Sequence, residues 1–375
     1  MPKTRRKVKT STRGSLADIR KALDGDMAAG LIDVSEAITD HPVIPTGVRA
    51  IDELIGIGGW PRGSACEVFG KESSGKSTLA IQTCAAVQRA GGVAAYLDFE
   101  QSTTPDYLQS LGVDTNGDRF LYAQPECVED AFEIINALLE TAAADVIVWD
   151  SVAVSACRKE LEDDYDGIGI SPKPKVLAAR MRKLAQKLGP NGLFPDQSVA
   201  PVILFLNHAQ VALNTIARWG QEILRTPGGD FLKYLAKVRL MTAIRGTVKG
   251  RVKNPLTNKN EDMAIARRLR VLLVKSKVSP PLRVAEVLIR FGLGISNTDT
   301  LIEVAIAKKV LHRSRSGKVT WAATEQEWRS VNQFEEALRD DEELWGSLAE
   351  AIGWAESSAG KVNVASEHES EQAVE

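Results

Sequence analysis

Gly70-Lys71-Glu72-Ser73-Ser74-Gly75-Lys76-Ser77-Thr78 fits G-x-x-x-x-G-K-[ST], the spacing of a phosphate-binding loop. Its two glycines let the backbone bend so that successive N–H groups surround a chain of phosphates. Lys76 supplies a cation for the β- and γ-phosphates, and Ser77 a hydroxyl ligand for Mg²⁺. The motif needs a strand before it and a helix after it. Ala65-Cys66-Glu67-Val68-Phe69 is a short, partly apolar strand, and Thr78 to Arg89 is a helix with Leu79, Ile81, Ala86 and Val87 available for packing. A helix beginning there points its positive end at the phosphates.

Outward from the loop, apolar runs alternate with helical stretches. Val93 to Phe99, Asp145 to Asp150 and Val202 to Asn207 read as strands. Asp130 to Thr141, with Ala131, Ile134, Ile135 and Leu138 inward, and the basic Leu177 to Leu188 read as helices. Val238 to Ile244 and Leu269 to Lys275 continue the sheet. Near-continuous apolar strands between helices predict an α/β fold with a mainly parallel sheet covered on both faces. Ligands bind such sheets beyond the carboxyl ends of the strands, where Glu100, Asp150 and Asn207-His208 fall. Asp150 is placed to hold Mg²⁺ through water, and Glu100 to polarise an attacking water. The plain alternatives are a turn-capping Asp and a surface Glu. The loop and these carboxylates together point to binding and hydrolysis of ATP.

Composition sets the bounds. At 375 residues, with 44% hydrophobic and 26% charged residues, the chain describes an ordinary soluble protein with one large domain and smaller additions. A formal net charge of −2 gives no overall attraction to nucleic acid, but the charge is unevenly spread. Residues 1–14 carry Lys3, Arg5, Arg6, Lys7, Lys9 and Arg13 without an acid, and residues 355–375 carry five glutamates against one lysine. Both ends read as disordered. No stretch approaches the ~18 apolar residues of a membrane span, and the basic start lacks the apolar core of a secretory signal. Cys66, Cys84, Cys127 and Cys157 have neither metal nor disulfide-scaffold spacing, as in a reduced, cytoplasmic protein.

Near the N-terminus, Ser15 to Leu23 is a short helix, 24–45 is ambiguous, and Gly47 to Leu54 has Val48, Ile51 and Leu54 at helical spacing. After Pro280 the character changes. Thr300 to Lys309 is helical, His312 to Trp321 is a hairpin over Ser316-Gly317, and helices run from Glu325 to Leu338 and from Asp341 to Ile352.

The loop resembles that of the RecA family of homologous recombinases, whose Glu-Ser-Ser-Gly-Lys core is distinctive. Further segments match in order: Thr46-Gly47 with Asp52, Gly58-Gly59-Trp60-Pro61-Arg62-Gly63, Leu97-Asp98-Phe99-Glu100, Asp145 to Ala153, Leu177 to Met181, Gly228-Gly229 with Leu232 to Leu240, and Val274-Lys275-Ser276-Lys277. The resemblance covers about 44–295. It implies a P-loop, RecA-like ATPase core over 46–290, preceded by a helical oligomerisation segment (15–45) and followed by a small α+β domain (291–354). It also implies an ATP-dependent recombinase that forms a filament on single-stranded DNA and pairs it with double-stranded DNA, with ATP and Mg²⁺ as cofactors and no membrane partner.

Position by position, the resemblance makes Glu100 the water-activating glutamate and puts Tyr107 where an aromatic stacks on adenine; a buried structural tyrosine is the equal alternative. Lys275 and Lys277 match a lysine pair that reaches the neighbouring subunit's γ-phosphate. Two DNA loops correspond to about Lys159–Lys175 and Ala209–Pro227. The first is acidic; the second carries Arg218, Trp219 and Arg225, a charge-plus-stacking set suited to single strands. Arg180, Arg182 and Lys187 on the following helix add phosphate contacts. Arg245, Lys249, Arg251 and Lys253 form a further basic cluster, for a second duplex or simply solvated. The chain departs from bacterial relatives at Asn207-His208, where they place Gln after Asn, so that His208 becomes the γ-phosphate sensor. The alternative functions are an ATP-switched regulator acting through protein partners and a ring-shaped helicase motor.

Overall fold

Seven consecutive residues, Ser64–Gly70, are all buried, and they lie inside the sheet that carries the phosphate loop. The computed structural model describes residues 41–162, 171–189, 191–211, 224–253 and 258–354. The expected helix at Ser15–Leu23, the basic arm and the acidic tail lie outside these residues.

The chain enters through Val43–Ile44 (β1), helix Arg49–Ile55 (α1) and Trp60–Pro61 (β2), with β1 and β2 paired antiparallel. Ser64–Gly70 (β3) follows, then Lys76–Arg89 (α2), Ala94–Asp98 (β4), Pro105–Ser110 (α3) and Phe120–Ala123 (β5). Next come Val128–Glu140 (α4), Val146–Asp150 (β6), Arg158–Glu162 (α5), Lys173–Leu188 (α6) and Val202–His208 (β7). A small ladder pairs Gln210–Val211 (β8) with Leu224–Arg225 (β9), and the short helix Phe231–Leu235 (α7) follows. The hairpin of Val238–Lys253 (β10) and Asn260–Ser276 (β11) leads to Val284–Arg290 (β12) and Gly294–Ser296 (β13). Helix Asn297–Ala307 (α8), strands Leu311–Arg313 (β14), Val319–Trp321 (β15) and Gln326–Trp328 (β16), and helices Val331–Asp340 (α9) and Glu342–Ala351 (α10) close the described chain.

The large sheet runs β13-β12-β11-β10-β3-β7-β6-β4-β5. From β10 to β5 every neighbour pair is parallel, whereas β10 to β13 is an antiparallel meander. Side chains alternate between two apolar layers. Val146 and Val148 face the layer containing Leu79, Ile81 and Ile51, while Ile147 and Trp149 face the one containing Phe132, Leu177 and Met181. Burial on both faces is why these strands are almost wholly apolar. Trp149 anchors the second layer, with ring centroids 5.0 Å from Phe99, 5.3 Å from Phe132 and 5.7 Å from Phe205.

Several expected boundaries shift. Helix α6 begins at Lys173 rather than Leu177, with a proline in its first turn, where no backbone N–H is needed. On α4 the buried face is Ala131, Phe132, Ile135 and Leu139, and Ile134 and Leu138 are only half-buried. The helix expected from Glu325 is a strand over Gln326–Trp328 and then a helix from Val331, because Ser330 accepts the Gln333 amide as an N-cap. Residues after 291 do not keep a core to themselves. Leu301, Trp321, Phe334, Leu348 and Trp354 belong to the same apolar cluster as Leu79 and Val146.

Helix α1 carries a buried carboxyl. Asp52 accepts the Thr46 amide at 2.8 Å, and burial pushes it from its ordinary 3.8 up to about 7 against the pull of Thr46 and Arg49. The folded chain therefore keeps a proton on Asp52 that the unfolded chain has already released. Its contribution to stability is full below about pH 4 and is lost as pH rises toward about 7. Asp52→Asn, which keeps the acceptor but does not titrate, is expected to match the parent at pH 4. At pH 8 it should exceed the parent by about 3–4 kcal/mol in denaturant unfolding; equal stabilities at both pH values would refute the assignment.

Candidate nucleotide site

The loop after β3 is shaped by its glycines. A Cβ on Gly70 would lie 2.4 Å from Thr242 Oγ1 and 2.5 Å from Ser74 Oγ, so no larger residue fits. Gly75 takes the left-handed conformation (φ 79°) as the N-cap of α2, and the 14-residue helix then directs its N-terminus into the loop. Lys76 is buried, and its Nζ donates to Lys71 O at 3.0 Å across the loop. Burial lowers its pKa, opposed by the carboxylates of Asp150, Glu100 and Glu72. A cation held this way above a ring of amides is suited to polyphosphate oxygens.

Strand ends bring in the acids. Ser77 Oγ donates to Asp150 Oδ2 at 2.7 Å, and Tyr96 OH donates to the same oxygen at 2.6 Å. Burial raises the Asp150 pKa; Tyr96 and Ser77 oppose this, while Glu100 and Asp98 add to it. Asp150 alone meets the Ser77 hydroxyl, with the charges of Glu100 and Asp98 nearby. No group of three or more His, Cys, Asp or Glu among the described residues could hold a metal alone. Ser77 and, through water, Asp150 are the residues that would hold Mg²⁺.

Glu100 lies just beyond β4. Asp98 Oδ1 accepts the amides of Glu100 (2.9 Å) and Gln101 (2.8 Å), and Asp98 Oδ2 accepts Tyr122 OH (2.8 Å). The Glu100 carboxylate accepts Ser151 Oγ at 2.6 Å and lies 2.8 Å from His208 Nε2. Burial raises its pKa, but the bonds from Ser151 and His208 and the nearby charges of His208 and Lys76 outweigh this and leave it lowered. His208 thus touches the water-activating candidate directly. Behind it, Asn207 accepts the His208 amide (3.0 Å) and donates to Pro227 O (3.0 Å) and to Glu67 Oε1 (3.1 Å). Glu67 is fully buried, and its other oxygen accepts Arg239 Nε at 2.5 Å, with that guanidinium over the Phe69 ring.

Lys275 and Lys277 sit elsewhere. Lys275 pairs with Arg239, and Arg239 with Glu67, three residues before Gly70 on a parallel strand. That places the lysines about 10 Å back along the sheet from their own loop. Lys275 Nζ donates to Lys233 O (2.6 Å) and Tyr234 O (3.0 Å), and Lys277 Nζ to Tyr234 O (3.3 Å). Burial, then the charges of Lys277 and Arg239, push Lys275 down to about 8.

Tyr107 is partly exposed, and its hydroxyl lies 2.8 Å from Thr78 Oγ1. It lines a pocket of about 220 Å³ beside the loop, opposite Arg267, Phe291 and Gly292. Of the expected DNA contacts, Arg180 is half-buried on α6 and Arg225 is exposed on β9 opposite Gln210. Arg218 and Trp219 lie outside the described residues, as do 163–170 of the first loop and 212–223 of the second. Lys187 is committed differently from the expectation: its ammonium bonds Glu140 Oε1 (2.9 Å) and Asn136 Oδ1 (3.1 Å) on α4.

Residues 13–296 match the family model described as the RecA N-terminal domain. The chain belongs to the RecA family. It is 33% identical over 383 residues to Protein RecA of Corynebacterium glutamicum (strain R), covering 98% of this chain and 94% of that one. Protein RecA of Latilactobacillus sakei is 36% identical over 278 residues, 74% of this chain and 72% of its own. That of Tropheryma whipplei is 35% identical over 305 residues, 80% of this chain but 63% of the longer relative. A solved RadB recombinase superposes with a TM-score of 0.45 at 21% identity, over 68% of this chain and 98% of that one.

Membership in the RecA family makes the chain an ATPase, and several polar groups that shape its site take no role from the sequence alone. Tyr96, Asp98, Ser151, Glu67 and Arg239 are examples. Glu67 carried a signal: a charged residue in an apolar strand requires a buried partner. Arg239→Met should remove that partner and destabilise the fold by about 3–5 kcal/mol, measured by urea unfolding. A loss within experimental error would show that Asn207 alone satisfies Glu67.

Proposed function

We propose that this RecA-type recombinase polymerises on single-stranded DNA and binds ATP and Mg²⁺ at the junctions between subunits. It then pairs the strand with homologous double-stranded DNA and exchanges strands. The observation that carries the reading is the division of the site. Lys76, Ser77, Asp150 and Glu100 converge at one end of the sheet, while Lys275 and Lys277 stand about 10 Å behind it, out of reach of their own loop.

In this reading the 70–78 loop would hold the phosphates, and Ser77, with Asp150 through water, would hold Mg²⁺, which would offset the phosphate charge. The base occupies the pocket beside Tyr107. Glu100 takes a proton from water as it attacks the γ-phosphorus. Lys275 and Lys277 of the next subunit meet the charge that develops on the phosphoryl oxygens, a stabilisation that exists only once two copies are joined. DNA-dependence has a route through Pro227, at the end of the second loop, because its carbonyl is bonded to Asn207 and Asn207 to His208 beside Glu100. Arg180, Arg218 and Arg225 contact phosphates, and Trp219 stacks on bases. Four buried free cysteines suit a reducing cytoplasm.

A purely regulatory, ATP-switched role has no need of a built water-activating carboxylate, and a ring helicase would unwind rather than pair. Strand exchange with ATP, single-stranded DNA and a homologous duplex, imaged by electron microscopy in the same mixture, is expected to yield exchanged product on helical filaments. Rings with unwinding, or ATP binding without either, would reject the proposal. Lys76→Ala is expected to abolish nucleotide-dependent DNA binding. Lys275→Ala mixed with Glu100→Ala should regain hydrolysis that neither variant has alone, since their junctions include intact sites; a mixture no more active than the average of its parts would count against hydrolysis in trans.

A further inference from the structure

Glu100 meets the protein through a single oxygen. Oε1 accepts the Ser151 hydroxyl at 2.6 Å and lies 2.8 Å from His208 Nε2, and two donors fill the lone-pair directions of one carboxylate oxygen. Among the described residues no hydrogen-bond donor is found on Oε2. The stem is fixed as well, because Asp98 accepts the backbone amides of Glu100 and Gln101. Both side-chain donors come from rigid positions. Ser151 is fully buried, follows β6 directly and has its carbonyl bonded to the Ser155 amide, while His208 ends β7, the strand beside β6. Their separation is therefore set by the sheet rather than by a loop.

We infer that Ser151 and His208 are positioning residues for hydrolysis: they hold Oε1 so that Oε2 alone faces the attacking water. Oε2 takes a proton from that water as its oxygen bonds to the γ-phosphorus. The bond from γ-phosphorus to the bridging oxygen breaks, and ADP departs with the electron pair. An untethered carboxylate would offer either oxygen over a range of angles, and a small misplacement of a reacting group costs rate without weakening binding. The clamp fixes the tautomer of His208, which donates from Nε2, and commits the only proton of the Ser151 hydroxyl. It rests on the reading of Glu100 as the base.

The test is steady-state ATP hydrolysis by the full chain with saturating single-stranded DNA, alongside equilibrium binding of a fluorescent ATP analogue. Ser151→Ala is expected to lower kcat about tenfold while KM for ATP stays within about twofold. Ser151→Thr, which restores the hydroxyl, should recover most of the rate. His208→Gln, which keeps an N–H, should stay near the parent rate, and His208→Leu should fall to the level of Ser151→Ala. Parent-like kcat in both Ser151→Ala and His208→Leu overturns the clamp. So does a joint loss of kcat and analogue binding that neither Ser151→Thr nor His208→Gln restores, because that pattern marks packing alone. Glu100→Gln separates the two readings: if it still turns over at the parent rate, Glu100 is not the base. If it is inactive while Ser151→Ala and His208→Leu are normal, only the clamp fails.

Discussion

A carboxylate with no exposed surface, Glu67, sits three residues before Gly70 of the phosphate loop and is bonded on both oxygens. Isolated in an apolar sheet it would be strongly unfavourable. Arg239 on one neighbouring strand and Asn207 on the other make it tolerable, and in doing so they fix the register of β10, β3 and β7 against one another. That register determines what stands at the strand ends. Shifting β7 by a single residue would remove His208 from Glu100 and turn its apolar side chains onto the wrong faces.

The nucleotide site follows from this alignment of ends. Asp150, Glu100 and Asp98 would repel one another if each were free. Tyr96, Ser77, Ser151 and Tyr122 each answer one of them with a hydroxyl, and the buried Lys76 stands close to Asp150 and Glu100. The hydroxyls bring no charge, so the surplus of negative charge at these strand ends persists beside the buried Lys76. Farther back along the sheet Lys275, Lys277 and Arg239 crowd together, and burial with mutual repulsion leaves Lys275 easier to discharge than a free lysine. The acids gather where the strands end, and these cations stand about 10 Å behind the loop.

The parallel half of the sheet was legible because burial on both faces leaves no choice of residue: Val-Ile-Val-Trp and Val-Ile-Leu-Phe-Leu can only be interior strands. The loop was legible because its glycines are required sterically, as the 2.4 Å approach to Thr242 shows. What escaped was decided by contacts distant in sequence. Phe120–Ala123 is an edge strand with a mixed, half-exposed pattern that carries little periodicity. The outer part of the β10–β11 hairpin is held by cross-strand pairing, with the exposed Arg245, Thr247, Lys249 and Arg251 on one face, and in the sequence it shows only as a basic cluster, for a second duplex or a solvated hairpin. Tyr96 and Ser151 resemble ordinary interior and turn residues until β6 and β4 are laid side by side. Lys187 read as a phosphate contact because nothing in the chain announces that Glu140, 47 residues earlier, lies opposite.

If the site is completed between subunits as proposed, the position of Lys275 behind its own phosphate loop sets a counting rule. Each junction would join the phosphate loop of one copy to the lysines of the next, so a filament of any length would have one fewer complete site than it has subunits. A lone subunit would have none. Turnover per molecule would then climb with filament length and level off, and dilution would silence hydrolysis without altering a single residue. The terminal subunit whose phosphate loop faces solvent could hold a nucleotide that it would have no lysines to cleave. The two ends of such an array would differ because of where β11 places Lys275.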